Sequence, residues 1–361
     1  MGRVLSRGSI TAEQAAAIRA AKLRMQERAR SKGFGKRLSY AVQTAVLWPL
    51  VTLLKLMPVD AASGFGGWVG RNVVYRLLDR AAHHETMRVA FPGAPDAELN
   101  RILVLMCENV GRVLGETLHL EDFAGAGNAR LRLVGREKLD SVVGGRRPIL
   151  FVGGHFGNWE LIPVALRSAG FDGVSVVQHP NNPHVLGWIA AERYRAGLSL
   201  QVGAGEGVYA ALRRQLKAGG IGAMLADQRV LNGTKARFFG VETTTNLIPA
   251  RLARELGAAV VLMSNRRPRG ASFEIEFSDP IFLHPGSDRA AEERDFMTRI
   301  NGFFEAQIRR DPSAWLWGHP RFDDALYELD AEGKRSRPKD TLGPDRPTKR
   351  VTGDETSSRA D

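Results

Sequence analysis

The chain has 361 residues, 43% of them hydrophobic, and its 51 Lys and Arg against 39 Asp and Glu leave a formal net charge of +12. This length accommodates one large domain or two ordinary ones, and the apolar content excludes a wholly disordered protein. The positive field favours anionic partners such as nucleic acid, phospholipid headgroups, phosphorylated glycolipids or an acidic carrier protein, while the single cysteine, Cys107, excludes an intrachain disulfide framework and cysteine-based zinc sites.

Residues 1–37 form a basic segment with ten Lys and Arg and only two acids, Glu13 and Glu27, and Thr11–Arg30 has the Ala, Arg and Gln content of a helix. Leu38–Leu54 follows as an uncharged run of 17 residues closed by Lys55, interrupted by Pro49. Such a run is at the short end of what spans a bilayer. With its Arg-rich flank it reads as a membrane anchor over 38–57, spanning or lying in the interface, with the flank on the cytoplasmic side. Residues 58–329 read as one domain, helical over 58–130 and α/β over 131–329. In the helical part, Ala97–Leu118 places Leu99, Ile102, Leu103, Met106, Val110, Val113 and Leu114 at helical spacing. On that helix Asn109 and Glu116 default to solvated or capping positions.

From residue 130 short β-rich runs alternate with helical ones. The strands are Leu131–Val134, Pro148–Val152, Gly173–Val177, Leu198–Val202, Ile221–Ala226, Ala258–Ser264 and Ser272–Phe277. The helices are Glu160–Ala169, Leu186–Arg195, Gly207–Lys217, Pro249–Leu256 and Asp295–Arg309. This alternation predicts an α/β fold with a mixed, mainly parallel sheet flanked by helices. In Lys235–Thr245, the basic Lys235 and Arg237, followed by Phe238-Phe239-Gly240 and three threonines, either suit a phosphorylated acceptor beside the active centre or lie on a solvated basic loop. Residues 330–361 are charged and poor in large apolar side chains, which predicts a disordered tail.

The chemistry concentrates in Ile149-Leu-Phe-Val-Gly-Gly-His155-Phe-Gly-Asn-Trp-Glu160. An apolar strand ends in two glycines that permit a sharp turn. His155 then stands at the carboxyl edge of the sheet, where active sites of open parallel sheets lie, and Asn158 is placed to cap the next helix. A neutral histidine can take a proton from an alcohol, and a carboxylate on its second ring nitrogen fixes the tautomer. Glu160 can be that carboxylate, with backbone N–H groups near Gly153–Gly157 holding an oxyanion, although spacing alone favours a core histidine with a surface glutamate on the next turn. Asp227-Gln228-Arg229 follows another apolar strand and falls on the same edge. No H-E-x-x-H or G-x-S-x-G occurs, and a metal set drawn from His155, Glu160, His179 and His184 has no ligand-like spacing. No cofactor is expected.

His155-Phe-Gly-Asn-Trp-Glu160 resembles the H-x4-D/E block of glycerolipid acyltransferases, in the form found in the lauroyl/myristoyl transferases of lipid A biosynthesis. Asp227-Gln228, Phe238-Phe-Gly-Val241 with its threonines, and Trp315-Leu-Trp-Gly-His319-Pro-Arg321-Phe322 resemble later blocks of that family in the same order. The resemblance implies a bacterial inner-membrane enzyme with its active site on the cytoplasmic side, passing an acyl chain from acyl carrier protein to a hydroxyl of a lipid A precursor. It implies His155 as general base with Glu160 as its partner, and Asp227 orienting acceptor or base. Asn158, Gln228, Arg229, Gln178 and Arg193 are the expected substrate-binding residues. A family arginine before the Asn-Pro segment is missing, since the stretch here is Val177-Gln178-His179-Pro180-Asn181-Asn182-Pro183. Neutral Gln178 does not replace a bidentate cation, which leaves Arg193 or Arg195 to compensate. Two alternatives stand beside this reading. One is an acyl-CoA-dependent phospholipid or glycolipid acyltransferase; the other is a non-catalytic basic protein binding a membrane surface or nucleic acid. No nucleic-acid partner is expected, because no stacking-aromatic or recognition-helix signature accompanies the basic segment.

Overall fold

The computed structural model describes residues 34–338, apart from 146, 178–179, 199–200, 204–206, 231, 320, 324–326 and 330–334. The helix expected over Thr11–Arg30 therefore lies outside the described residues, as does Gln178.

Helix α1 (Phe34–Leu56) carries Pro49 internally and is long and apolar enough to cross a membrane over Leu38–Leu56, of which only 11% is buried. Pro58 breaks the chain, and α2 (Val59–Val69) runs on through a π-turn to Leu77. Asp79 then caps α3 (Arg80–Ala90), which ends at Phe91-Pro92-Gly93. Helix α4 (Asp96–Thr117) has Asp96 and Glu98 in its first turn, where the helix dipole favours acids. Its apolar stripe is buried as the spacing demands, with the exception of Leu114, which points outward. The other face of α4 crosses α2 at near-backbone contact. A Cβ on Gly66, Gly70, Gly111 or Gly115 would run into a carbonyl of the opposite helix, so the crossing requires glycine.

The α/β part follows as β1 (Leu131–Val134), β2 (Ile149–Gly153), α5 (Leu161–Ser168), β3 (Gly173–Val177), α6 (Pro183–Arg195), β4 (Gln201–Gly203), α7 (Val208–Lys217) and β5 (Ile221–Leu225). Then come β6 (Thr234–Phe238), β7 (Val241–Thr245), α8 (Ile248–Leu256), β8 (Ala259–Arg269), β9 (Ser272–Phe277) and α9 (Arg289–Arg310). Seven strands form one sheet in the order β1-β9-β8-β2-β5-β3-β4. The five from β8 to β4 are parallel, and β9 turns back antiparallel on β8. The expected mixed, mainly parallel sheet is the one observed. Central β2 is buried on both faces, as its unbroken apolar sequence requires. Leu150 and Val152 pack beneath α4, α7, α8 and α9, while Ile149 and Phe151 pack beneath α5.

Three departures from the sequence reading have physical causes. The basic stretch over 235–245 is not a loop but the β6–β7 hairpin, turned by Phe239 and Gly240, both at positive φ. Its inward row includes Thr243 and Thr245 beside Ala236 and Phe238, and these threonines are fully buried because Arg321 and its neighbours satisfy them. Helix α9 begins six residues before Asp295, since Asp288 caps it through the Ala291 N–H. Within the expected tail, Arg335–Pro338 is a strand that pairs antiparallel with Tyr327–Leu329.

Candidate active site

The sheet register builds the site. Strands β2 and β5 are parallel neighbours with Gly153 opposite Leu225, so the residues two beyond each strand, His155 and Asp227, emerge side by side. The Asp227 carboxylate is fully buried and grips the histidine twice. Its Oδ2 accepts the His155 backbone N–H at 2.8 Å, and its Oδ1 lies 2.8 Å from Nδ1. Trp315 Nε1–H donates to the same Oδ2 at 2.7 Å. Burial pushes the Asp227 carboxyl upward, but the charge and hydrogen bonds of His155, with the Trp315 donor, outweigh it and hold the group below the ordinary carboxylate range. An ionised Asp227 can only accept, so Nδ1 carries the proton and Nε2 is left as the basic nitrogen.

His155 lines a cavity of about 60 Å³ together with Trp159, Glu160, Pro163, Val177 and Met224 among others, and Nε2 is the ring edge that Asp227 leaves free. The Gln228 amide nitrogen sits 3.4 Å from it, a long contact that brings a donor to the reacting edge. His319 lies close by. Its ring keeps solvent contact, yet the protein crowding it and the neighbouring His155 both lower its pKa.

The backbone around His155 is held from three sides. Residues 314–316 run alongside, with Gly157 N–H donating to Ala314 and Leu316 N–H donating to the His155 carbonyl. From α4, Asn109 donates its amide to the Gly157 carbonyl at 2.9 Å, and Glu116 accepts from Asn158 Nδ2 at 2.9 Å. From β8, Asn265 donates to the Asn158 carbonyl. Glu116 is completely buried and is neutralised by Arg267, with Ser63 Oγ adding a hydrogen bond at 2.6 Å. Gly157 itself stands at φ +53, where a Cβ would strike Asn265.

This geometry revises several sequence expectations. Glu160 is not the hydrogen-bond partner of His155. Both its oxygens are taken at 2.9 Å by Arg193, a guanidinium buried on α6, because the chain turns into α5 immediately after it. Asn158 does cap the turn into α5, accepting the Glu160 N–H, but it is fully buried against Glu116 and Asn265 and is not presented to the cavity. Arg229 points to the C-terminal blocks, donating to the Phe322 carbonyl and lying 3.6 Å from Asp323. The N–H groups of residues 155, 156 and 157 all have intramolecular acceptors, so they do not form the expected oxyanion site. Glu116, read from the sequence as solvated or capping, is instead fully buried, and Arg267 and Asn265 carried no sequence signal beyond their positions on or beside core elements. Trp315 was signalled only by its block.

A histidine on a buried aspartate, at the carboxyl edge of a mainly parallel sheet and beside a small cleft, is the kind of site α/β enzymes carry. Residues 32–324 match the family described as bacterial lipid A biosynthesis acyltransferase, and the chain belongs to that family. It is accordingly an acyltransferase of lipid A biosynthesis, in a bacterial, membrane-associated family. No curated protein sequence matches the chain.

Proposed function

We propose that the protein transfers a fatty acyl chain from acyl carrier protein to a hydroxyl of a lipid A precursor at the cytoplasmic face of the inner membrane, by direct attack on the thioester. His155 Nε2 takes the proton of the acceptor hydroxyl as its oxygen attacks the thioester carbonyl. The C–O bond of the new ester forms, the C–S bond breaks, and the proton passes on to the departing thiolate. Asp227 holds the tautomer and stabilises the imidazolium, the role of the third member of a serine-protease triad. No enzyme nucleophile is needed because the acceptor supplies the hydroxyl. The Gln228 amide is the side-chain donor nearest the developing oxyanion. Glu160 lines the cavity and its ion pair with the buried Arg193 ties α6 to the pocket wall. The net charge of +12 would also draw an acidic carrier protein.

The observation that supports this reading most is the 2.8 Å contact of His155 Nδ1 with a buried, ionised Asp227, which leaves Nε2 basic beside the cavity. Its test is transfer of labelled acyl groups by detergent-solubilised protein, with carrier-protein and CoA thioesters offered in parallel to lipid A precursor and lysophospholipid. Carrier-dependent labelling of the lipid A precursor, lost by several orders of magnitude in His155→Ala, is the expected result. Labelling from CoA alone would replace the donor in this proposal, and near-normal turnover by His155→Ala would remove the mechanism.

A further inference from the structure

Helix α1 has the length to cross a bilayer, since its 19-residue apolar stretch rises about 28 Å at 1.5 Å per residue. Its contacts argue against crossing. Near its start, Asn182 at the cap of α6 donates to the Tyr40 carbonyl at 3.1 Å and meets Gln43 and Thr44. Near its end, Lys55 pairs with Glu192 in the last turn of α6, and His119 Nε2 lies 2.8 Å from the Leu54 carbonyl. The helix is therefore fastened lengthwise to the α/β body. Were it to span, α6 would be carried beside it into hydrocarbon with Asn182, Glu192 and Arg195, an environment that excludes such groups unless they are compensated.

The face turned away from α6 is apolar. Leu38, Val42, Val46, Trp48, Leu53 and Leu56 are all more than half exposed. Ten basic residues within the first 37 precede or begin this helix, matching an anionic headgroup layer. We infer that α1 does not span the membrane but lies in the plane of the cytoplasmic leaflet, one face seated on α6 and the opposite face in the acyl-chain region. This rests on the membrane-bound part of the proposed function. Glu192 meets α1 and the adjacent Arg193 meets Glu160, so a single helix separates the leaflet from the His155 cavity. The glycolipid acceptor then reaches the site sideways from the leaflet it already occupies.

Cys107 is the sole cysteine, buried, with its thiol pushed up by burial to about 11, and is a quiet background for thiol labelling. Cysteines are introduced singly by Gly35→Cys before the apolar stretch, Ala61→Cys after it and Val46→Cys at its centre. Each is exposed to a membrane-impermeant maleimide in inside-out and right-side-out inner-membrane vesicles, and acyl transfer is assayed in the same vesicles. Gly35→Cys and Ala61→Cys labelled together in inside-out vesicles, both protected in right-side-out ones, with Val46→Cys labelled only after detergent, is the expected pattern. Ends labelled from opposite sides would overturn the inference, as would Val46→Cys labelling freely from water. Transfer that persists with opposite-side labelling sinks this inference alone, whereas same-side labelling without transfer sinks the proposed function alone.

Discussion

Asp227 stands on the ring nitrogen of His155 where the sequence reading placed Glu160. A carboxylate five residues from a histidine is near it along the chain, but α5 begins at Leu161 and turns Glu160 toward Arg193. A carboxylate 72 residues away is brought alongside by strand register. Replacing Asp227 by Asn keeps the shape but puts a neutral amide against Nδ1, removing the charge that stabilises the imidazolium and allowing the wrong tautomer. The expected loss in turnover is about 10⁴-fold, measured by steady-state transfer on protein whose circular dichroism matches wild type. A loss below tenfold would take Asp227 out of the mechanism.

Among the elements, α4 links the helical part to the chemistry. Its glycines allow α2 to approach closely, and from its other side Asn109 and Glu116 reach the loop that carries His155. Glu116 has no access to water and depends on Arg267 of β8 for neutrality. Removing one partner of a buried ion pair leaves the other charge uncompensated, so Arg267→Ala should lower unfolding stability by about 3–5 kcal/mol, read from urea denaturation. The double variant with Glu116→Gln should recover part of the loss, because no buried charge then remains. The helices and parallel strands were legible because hydrophobic periodicity reports burial directly, and β2 shows this in five consecutive buried residues. The β6–β7 hairpin was not, since half of its inner row is threonine whose partners, Arg321 and Asn301, arrive from distant sequence. The position of His155 at a strand end was also legible. Which carboxylate faced it was not, because register between β2 and β5 is a property of the assembled sheet.

For the molecule as a whole, ionisation couples the site to folding. The folded-state pKa values of Asp227, Asp60 and Asp323 are all lowered, so each contributes stability in full above its unfolded value, near about 3.9. That contribution is lost as pH falls through the unfolded value and on to the lowered folded ones. Glu305, raised by burial, acts in the opposite sense and stabilises the fold as it takes up a proton. Glu255 and Glu274 are lowered as well, and with these five carboxylates against one the urea midpoint is expected to fall as pH drops below about 4. Asp227→Asn should flatten that acid limb. A midpoint indifferent to pH in this window would mean that the five carboxylates contribute no net stability.

The short run from Ala314 to Leu316 touches the Gly157 amide, the His155 carbonyl and, through Trp315, the Asp227 carboxylate. Both members of the dyad are translated long before it. A nascent chain thus carries His155 and Asp227 before it carries the strap that aligns them. A chain truncated ahead of residue 314 would keep both residues of the pair and lose the strap that aligns them.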